Sequence, residues 1–373
     1  MTDANTAPKQ ERSALTERLV ALIKDHGPIT VGDFMSDALS HPHFGYYSTR
    51  DPFGEGGDFT TAPEISQIFG ELVGAWLVDS WQAIGSPSLF QLVEFGPGRG
   101  TLMKDILRVG QLRPDFLKAA RITMIENSGR LRLKQQKLLE GKHDHLSWRA
   151  SFDDVPEGPL LGVANEFFDC LPIRQFVKTS AEGEKPWRER LVGVNEPGTD
   201  LCFVLSDESY PAPEGAPPNA PAEAIFETAD LSRKLIGDFA QRLETSKGRI
   251  LIIDYGHGRS GFGDTFQAVK RHNYCHPLAY AGEIDVTAHV DFAALARTGR
   301  ATGARIDGPI RQGDFLGRLG FDARLDVLLG AAGDRAEDIG RGAHRLVAPG
   351  EMGELFKVLS IASTDLPMPP GFA

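Results

Sequence analysis

The chain has little cysteine, no long apolar run and fewer basic than acidic residues, and each shortage removes a class of function. Cys170, Cys202 and Cys275 are the only three cysteines in 373 residues. That is too few and too scattered for a disulfide framework or a Cys-rich zinc site, so they read as small buried side chains in a reducing compartment. His41 with His43, and His272 with His276, lack the accompanying carboxylate spacing of a metal motif, and no metal is expected. Apolar runs stop at strand length, far short of the roughly 20 residues of a membrane helix. The 51 acidic against 40 basic residues give a net charge of -11. That balance disfavours general attraction to nucleic acid or anionic lipid. The opening MTDANTAPKQERS has no signal-peptide apolar stretch and carries Asp3 and Glu11, so residues 1–12 read as a disordered tail on a cytoplasmic protein.

What is present is a core-forming pattern, with 41% apolar side chains. Ser13 is placed to cap a helix with apolar positions Leu15, Leu19 and Ile23. Pro63 to Ile84 carries Ile65, Ile68, Phe69, Leu72, Val73, Trp76 and Leu77 on a broad helical face. With the Gly-rich loop between them, these helices make an N-terminal cap, residues 13–88. From residue 89 the rhythm changes to LFQLVEF, RITMIEN, PLLGVANEF and GRILIIDYG, buried parallel strands separated by helical stretches; LSWRA reads as a further strand. The fold class expected is α/β, doubly wound, with a mostly parallel sheet spanning 89–170 and 226–363. IRQFVK, ERLVGV and LCFVLS predict an antiparallel meander, which with the proline-rich YPAPEGAPPNAPA forms an insertion at 171–225. Residues 257–300 read as a second, substrate-side insertion. GELFKVLSIA supplies a late strand, with no helix-length crossover leading into it.

The strongest chemical signal is Glu94-Phe-Gly96-Pro-Gly98-Arg-Gly100-Thr101, after an apolar strand and before a helical segment. Glycines there allow close approach of backbone to a ligand, and the helix N-terminus offers unpaired N–H groups. Dinucleotide enzymes use G-x-G-x-x-G, but here Thr101 stands where the third glycine belongs. Glu94 suits a ligand with an ammonium group better than a pyrophosphate, and the combination favours S-adenosyl-L-methionine. Glu126, ending the next strand, is the candidate acceptor for two ribose hydroxyls. Asp153 or Asp154 is the candidate for the adenine amine, with a plain loop as the alternative.

On the reaction side, Asn165, Glu166 and Asp169 follow the fourth strand. Two carboxylates and an amide can hold a guanidinium through paired hydrogen bonds and localise its charge away from the attacking nitrogen; the alternative role is capping the next helix. Asp254, Tyr255, Asp264, His272, Asp285 and His289 crowd the segment expected to return over the sheet edge. They are candidates for substrate contact, each also readable as a turn or cap residue.

These residues bring out a family. The chain resembles the MidA family, bacterial relatives of the mitochondrial complex I assembly methyltransferase. The resemblance is carried by Gly45-Tyr46-Tyr47, GDFTTAPEISQIFGEL from Gly57, EFGPGRGTLMKDILR, NEFFDCLPIRQF, IDYGHG, GDTFQA and DVTAHVDF. It implies a class I methyltransferase fold with a seven-stranded sheet. It also implies S-adenosyl-L-methionine as cofactor and symmetric dimethylation of an arginine in a complex I-type subunit. By position, Gly96, Gly98 and Gly100 would hold the cofactor with Glu126, and Gly57, Asp58, Thr60 and Thr61 would close over it. The partner expected is a protein presenting an arginine, with neither nucleic acid nor membrane insertion, and with a homo-oligomer open. A noncatalytic cofactor-binding scaffold is the alternative; a nicotinamide-dependent oxidoreductase is disfavoured by Thr101.

Overall fold

The computed structural model describes residues 12–50, 61–179, 183–270 and 273–373. The chain divides into two compact units. One gathers Thr60–Phe168, Leu235–Gly258 and Leu295–Ala373; the other gathers Met1–Phe59, Asp169–Lys234 and Arg259–Ala294. Each has its own cluster of buried apolar side chains.

The first unit is an α/β layer built on a mixed sheet of β1 (Phe90–Phe95), β2 (Ala120–Ile125), β3 (Leu146–Arg149), β4 (Leu160–Asn165), β5 (Gly248–His257), β6 (Arg305–Arg311) and β7 (Phe356–Ala362). Their order across the sheet is β6-β7-β5-β4-β1-β2-β3. The pairs β5/β4, β4/β1, β1/β2 and β2/β3 are parallel, whereas β7 runs antiparallel to both β5 and β6. β1 and β4 are buried at every position, which is why they read as continuous apolar runs instead of alternating ones. β1 has β2 on one side and β4 on the other, the switch point at which sheets of this kind place their ligand crevice, outside the carboxyl ends of the strands.

Two sequence expectations need correction. The helical segment expected from Pro63 to Ile84 is broken at Ser66, which is extended (φ -155°, ψ 134°) and caps the second piece. The result is a single-turn α1 (Ala62–Ile65) and a long α2 (Gln67–Ala83). The late strand β7 does follow helical crossovers: α5 (Gln312–Arg318), α6 (Phe321–Ala332) and α7 (Ala336–Val347). Arg324 of α6 docks on α2 through a two-pronged bond to Glu71, at 2.6 and 3.0 Å. Between β1 and β3 lie α3 (Thr101–Gly110) and α4 (Gly129–Leu139).

The second unit carries the predicted meander segments as antiparallel strands Arg174–Lys178, Trp187–Val194 and Leu201–Tyr210, joined by Ile29–Thr30 and Ile225–Thr228. A smaller sheet orders Asn273–Cys275, Gln267–Lys270 and Asp285–Thr287. The Ser13 hydroxyl accepts from the Thr16 amide and donates to the Ala281 carbonyl, so one residue both caps the helix Ala14–His26 and ties it to the unit. Residues 13–50 of the anticipated cap thus share a unit with the meander, while Ala62–Ile84 belong with the large sheet. Among the described residues, no helix is long and apolar enough to cross a membrane.

Candidate active site

The glycine turn joins β1 to α3 at the sheet's switch point. Gly96, Gly98 and Gly100 all have positive φ, at 59°, 54° and 87°, a region other residues enter only with strain. At Gly96 space is also short, because an added Cβ would lie 2.8 Å from the Phe167 ring. Glycine is therefore required in the turn by backbone conformation, and at Gly96 by the packing of Phe167 as well. Thr101 opens α3, and its hydroxyl donates to Glu64 of α1, which also lies 4.0 Å from Arg99. Glu64 drew no attention in the sequence because its role depends on that contact.

Two carboxyls flank the turn. Glu94 is 3% exposed, and its Oε2 meets no donor among the described residues. Burial pushes its pKa well above the ordinary value, and the nearby Glu126 adds to the rise against a hydrogen bond from the Met103 backbone. Glu126 ends the β2 side of the crevice. Burial raises its pKa too, opposed by hydrogen bonds from the Ser128 amide (2.8 Å) and from Gln135 (3.1 Å). The Gln135 amide also donates to the Gly98 carbonyl at 2.8 Å. Sequence reading missed Gln135, although a signal exists: it is the polar member of the buried row Leu131, Gln135, Leu139 on α4. Asp153 is exposed, with its backbone bonded to Ser151.

At the end of β4, Asn165 and Glu166 are brought together. Glu166 has φ +50°, a left-handed conformation that costs a non-glycine residue about 1–3 kcal/mol. Its Oε1 accepts from the Ala62 amide (2.9 Å) and from Asn165 Nδ2 (3.2 Å). Asp254 is fully buried on β5, and its Oδ2 accepts from the amides of Phe167 and Phe168 at 3.1 and 2.9 Å. This carboxylate oxygen thus serves the backbone that follows Glu166, besides the substrate contact expected of Asp254. Tyr255 packs half-buried beside Phe356. Thr61 immediately precedes α1, and Gly57, Asp58, Thr60 and His272 lie outside the described residues.

The other candidates belong to the second unit, so Asp169 does not share a unit with Glu166. Asp169 is buried, as is Asp285, whose two oxygens both accept from the Tyr47 hydroxyl at 3.1 Å. The same hydroxyl lies 3.0 Å from Cys170 Sγ. Burial first, then the neighbouring carboxylates, raise both Tyr47 and Cys170 well above their usual values. Asp264 accepts from Arg190 (2.6 Å) and Gln175 (2.9 Å). His289 is exposed, and its backbone amide donates to Thr265.

A glycine turn at a helix N-terminus, which suits a carboxylate, a buried Glu94 oxygen without a donor among the described residues, which suits an ammonium, and Glu126, which suits a diol, fit S-adenosyl-L-methionine. Residues 72–310 match the model of a family described as "Putative S-adenosyl-L-methionine-dependent methyltransferase". The mitochondrial protein arginine methyltransferase NDUFAF7 homolog of Drosophila melanogaster is 37% identical over 392 residues, spanning 96% of this chain and 87% of its own. Its Homo sapiens counterpart is 37% identical over 372 residues, with coverage of 93% and 83%. A crystal structure of a Burkholderia thailandensis protein bound to S-adenosyl-homocysteine superposes with a TM-score of 0.80 at 26% identity, covering 96% of this chain and 94% of that one. The chain belongs to this family of S-adenosyl-L-methionine-dependent methyltransferases.

Proposed function

We propose that the chain methylates arginine side chains of a protein substrate. The observation that carries this reading is Glu166: a carboxylate held by two donors on a strained backbone, one residue from the aromatic ring that packs on the cofactor turn. Strain kept at such a position is a sign of function when the surroundings over-determine it. The names of the relatives, which specify protein arginine methylation, support the same acceptor.

S-adenosyl-L-methionine supplies, when bound, a methyl group on a positively charged sulfur. Glu166 accepts N–H hydrogen bonds from the guanidinium, and its negative charge draws the cation's charge toward the bound nitrogens and away from the attacking one. Methyl transfer would leave the guanidinium with one proton in excess, which Glu166 would accept from a nitrogen it binds and pass to solvent. Asn165 fixes the Glu166 rotamer, and Asp254 fixes the backbone beyond it. The methylation pattern we propose is symmetric dimethylation and the target a complex I-type subunit, on the strength of the family resemblance.

The test uses methyl-labelled cofactor and an extract from cells lacking the gene. Wild-type protein should deposit label as dimethylarginine. Glu166→Gln should lower kcat by about 100-fold or more while cofactor affinity changes less than about twofold. A fully active variant, or label recovered on lysine alone, rejects the reading.

A further inference from the structure

We infer that Gln135 and Trp148 are positioning residues that preset Glu126 for the cofactor's ribose hydroxyls. The inference rests on the reading of Glu126 as the ribose acceptor. Its basis is a chain of hydrogen bonds whose directions are forced. The Trp148 indole N–H can only donate, and it meets Gln135 Oε1 at 2.8 Å. That fixes the amide so that its NH2 faces the other way, where it meets two acceptors, Glu126 Oε2 at 3.1 Å and the Gly98 carbonyl at 2.8 Å. Gln135 is fully buried, so water does not compete for either bond.

One side chain therefore joins the carboxylate after β2 to the second glycine of the turn. With Ser128 N–H holding Oε1, the carboxylate is clamped at both oxygens, and each still has lone-pair capacity for a hydroxyl. The arrangement also favours the charged form of Glu126, against the burial that raises its pKa. Its surroundings are Glu94 on β1, which disfavours charge, Arg132 on α4, which favours it, and Arg149 on β3, whose guanidinium bonds the Trp148 carbonyl. Removing Gln135 deletes a donor to the charged form, so the carboxyl takes up its proton at a higher pH.

The experiment measures S-adenosyl-homocysteine binding by calorimetry in wild type, Gln135→Met, Trp148→Phe, Glu126→Gln and the double variant Gln135→Met/Glu126→Gln, from pH 5 to 8. Methionine keeps the volume of Gln135 without its hydrogen bonds. Gln135→Met should weaken binding about tenfold and Trp148→Phe about threefold. The acid limb of affinity should move to higher pH in Gln135→Met. In the Glu126→Gln background the same Gln135 change should cost no more than about twofold. Additive losses with an unmoved pH limb would overturn the inference and leave the ribose reading of Glu126 standing. Unchanged affinity in Glu126→Gln would overturn that reading, and the inference with it. If Gln135→Met does not fold, the Trp148→Phe pH limb decides alone, and it too must move upward.

Discussion

Two polar clusters in this molecule use the same residue types to opposite ends. In the meander unit, Arg190, Gln175, Asp264, Glu227 and Thr265 satisfy one another. Gln175 donates to Glu227 at 2.7 Å and to Asp264 at 2.9 Å; Arg190 meets the other Asp264 oxygen at 2.6 Å; the Thr265 hydroxyl closes on the remaining Glu227 oxygen. The Arg190 guanidinium also lies 3.6 Å from the Phe203 ring centroid. Every carboxylate oxygen there has a donor from the chain. At the glycine turn the reverse holds: Glu94 keeps a buried oxygen without one among the described residues. A closed network fixes architecture; an open one stores unmet hydrogen-bonding capacity that a ligand can fill.

The comparison breaks most sharply at Arg190. Arg190→Met should destabilise folding by about 2–3 kcal/mol, because it leaves carboxylates without their cation and loses the ring contact, moderated by the partial exposure of Asp264. Cofactor affinity of the folded fraction should stay within about twofold. Denaturant titration and calorimetry on the same sample check both. A large loss of affinity with little loss of stability would mean that the closed network takes part in binding.

Glu94→Gln should show the opposite signature. If Glu94 receives the ligand's ammonium, affinity for S-adenosyl-homocysteine falls about 10- to 100-fold as that charge is lost. Folding stability at neutral pH holds or rises by up to about 1 kcal/mol, because a buried charge has been removed. Loss of stability in parallel with affinity would place Glu94 with the architectural residues instead.

How much of this was readable from the chain follows the same division. β1, β2, β4 and β5 were legible because parallel strands buried on both faces must be continuous apolar runs. The turn was legible because left-handed backbone between a strand and a helix needs glycine at fixed positions. β6 went unread, since Gly308 and Pro309 interrupt its pattern at a shift of register between Asp307 and Ile310. The crossover helices before β7 were missed as well. The backbone amides that Asp254 accepts from and the side chains that hold Asp264 were not readable, because a carboxylate on a strand end or loop has the same letter whatever it faces. The links of Gln135 and Glu64 to the turn were not readable for the converse reason: Gly98 and Thr101 are each 37 residues away in sequence. Asp169 sits only three residues after Glu166, but spacing along the chain says nothing about which core receives it.

The smallest effect is a dependence on pH that separates the open site from its filled state. Burial raises the folded-state pKa of Glu94 above its ordinary value of 4.5. A carboxyl raised in this way binds its proton more tightly in the folded than in the unfolded chain. Its stabilising contribution is therefore fully present below about pH 4.5 and is lost as pH rises through the folded-state value. Without ligand, the stability of wild type relative to Glu94→Gln should fall as the pH is raised from 4.5 to 8. With saturating S-adenosyl-homocysteine, the ammonium favours the ionised carboxylate and draws the folded pKa back down, so the slope should flatten. Melting temperatures of the two proteins across that range, with and without ligand, give the comparison directly. A difference independent of pH in the free protein would show that Glu94 is already ionised there, and the oxygen now without a donor would then have one supplied by solvent.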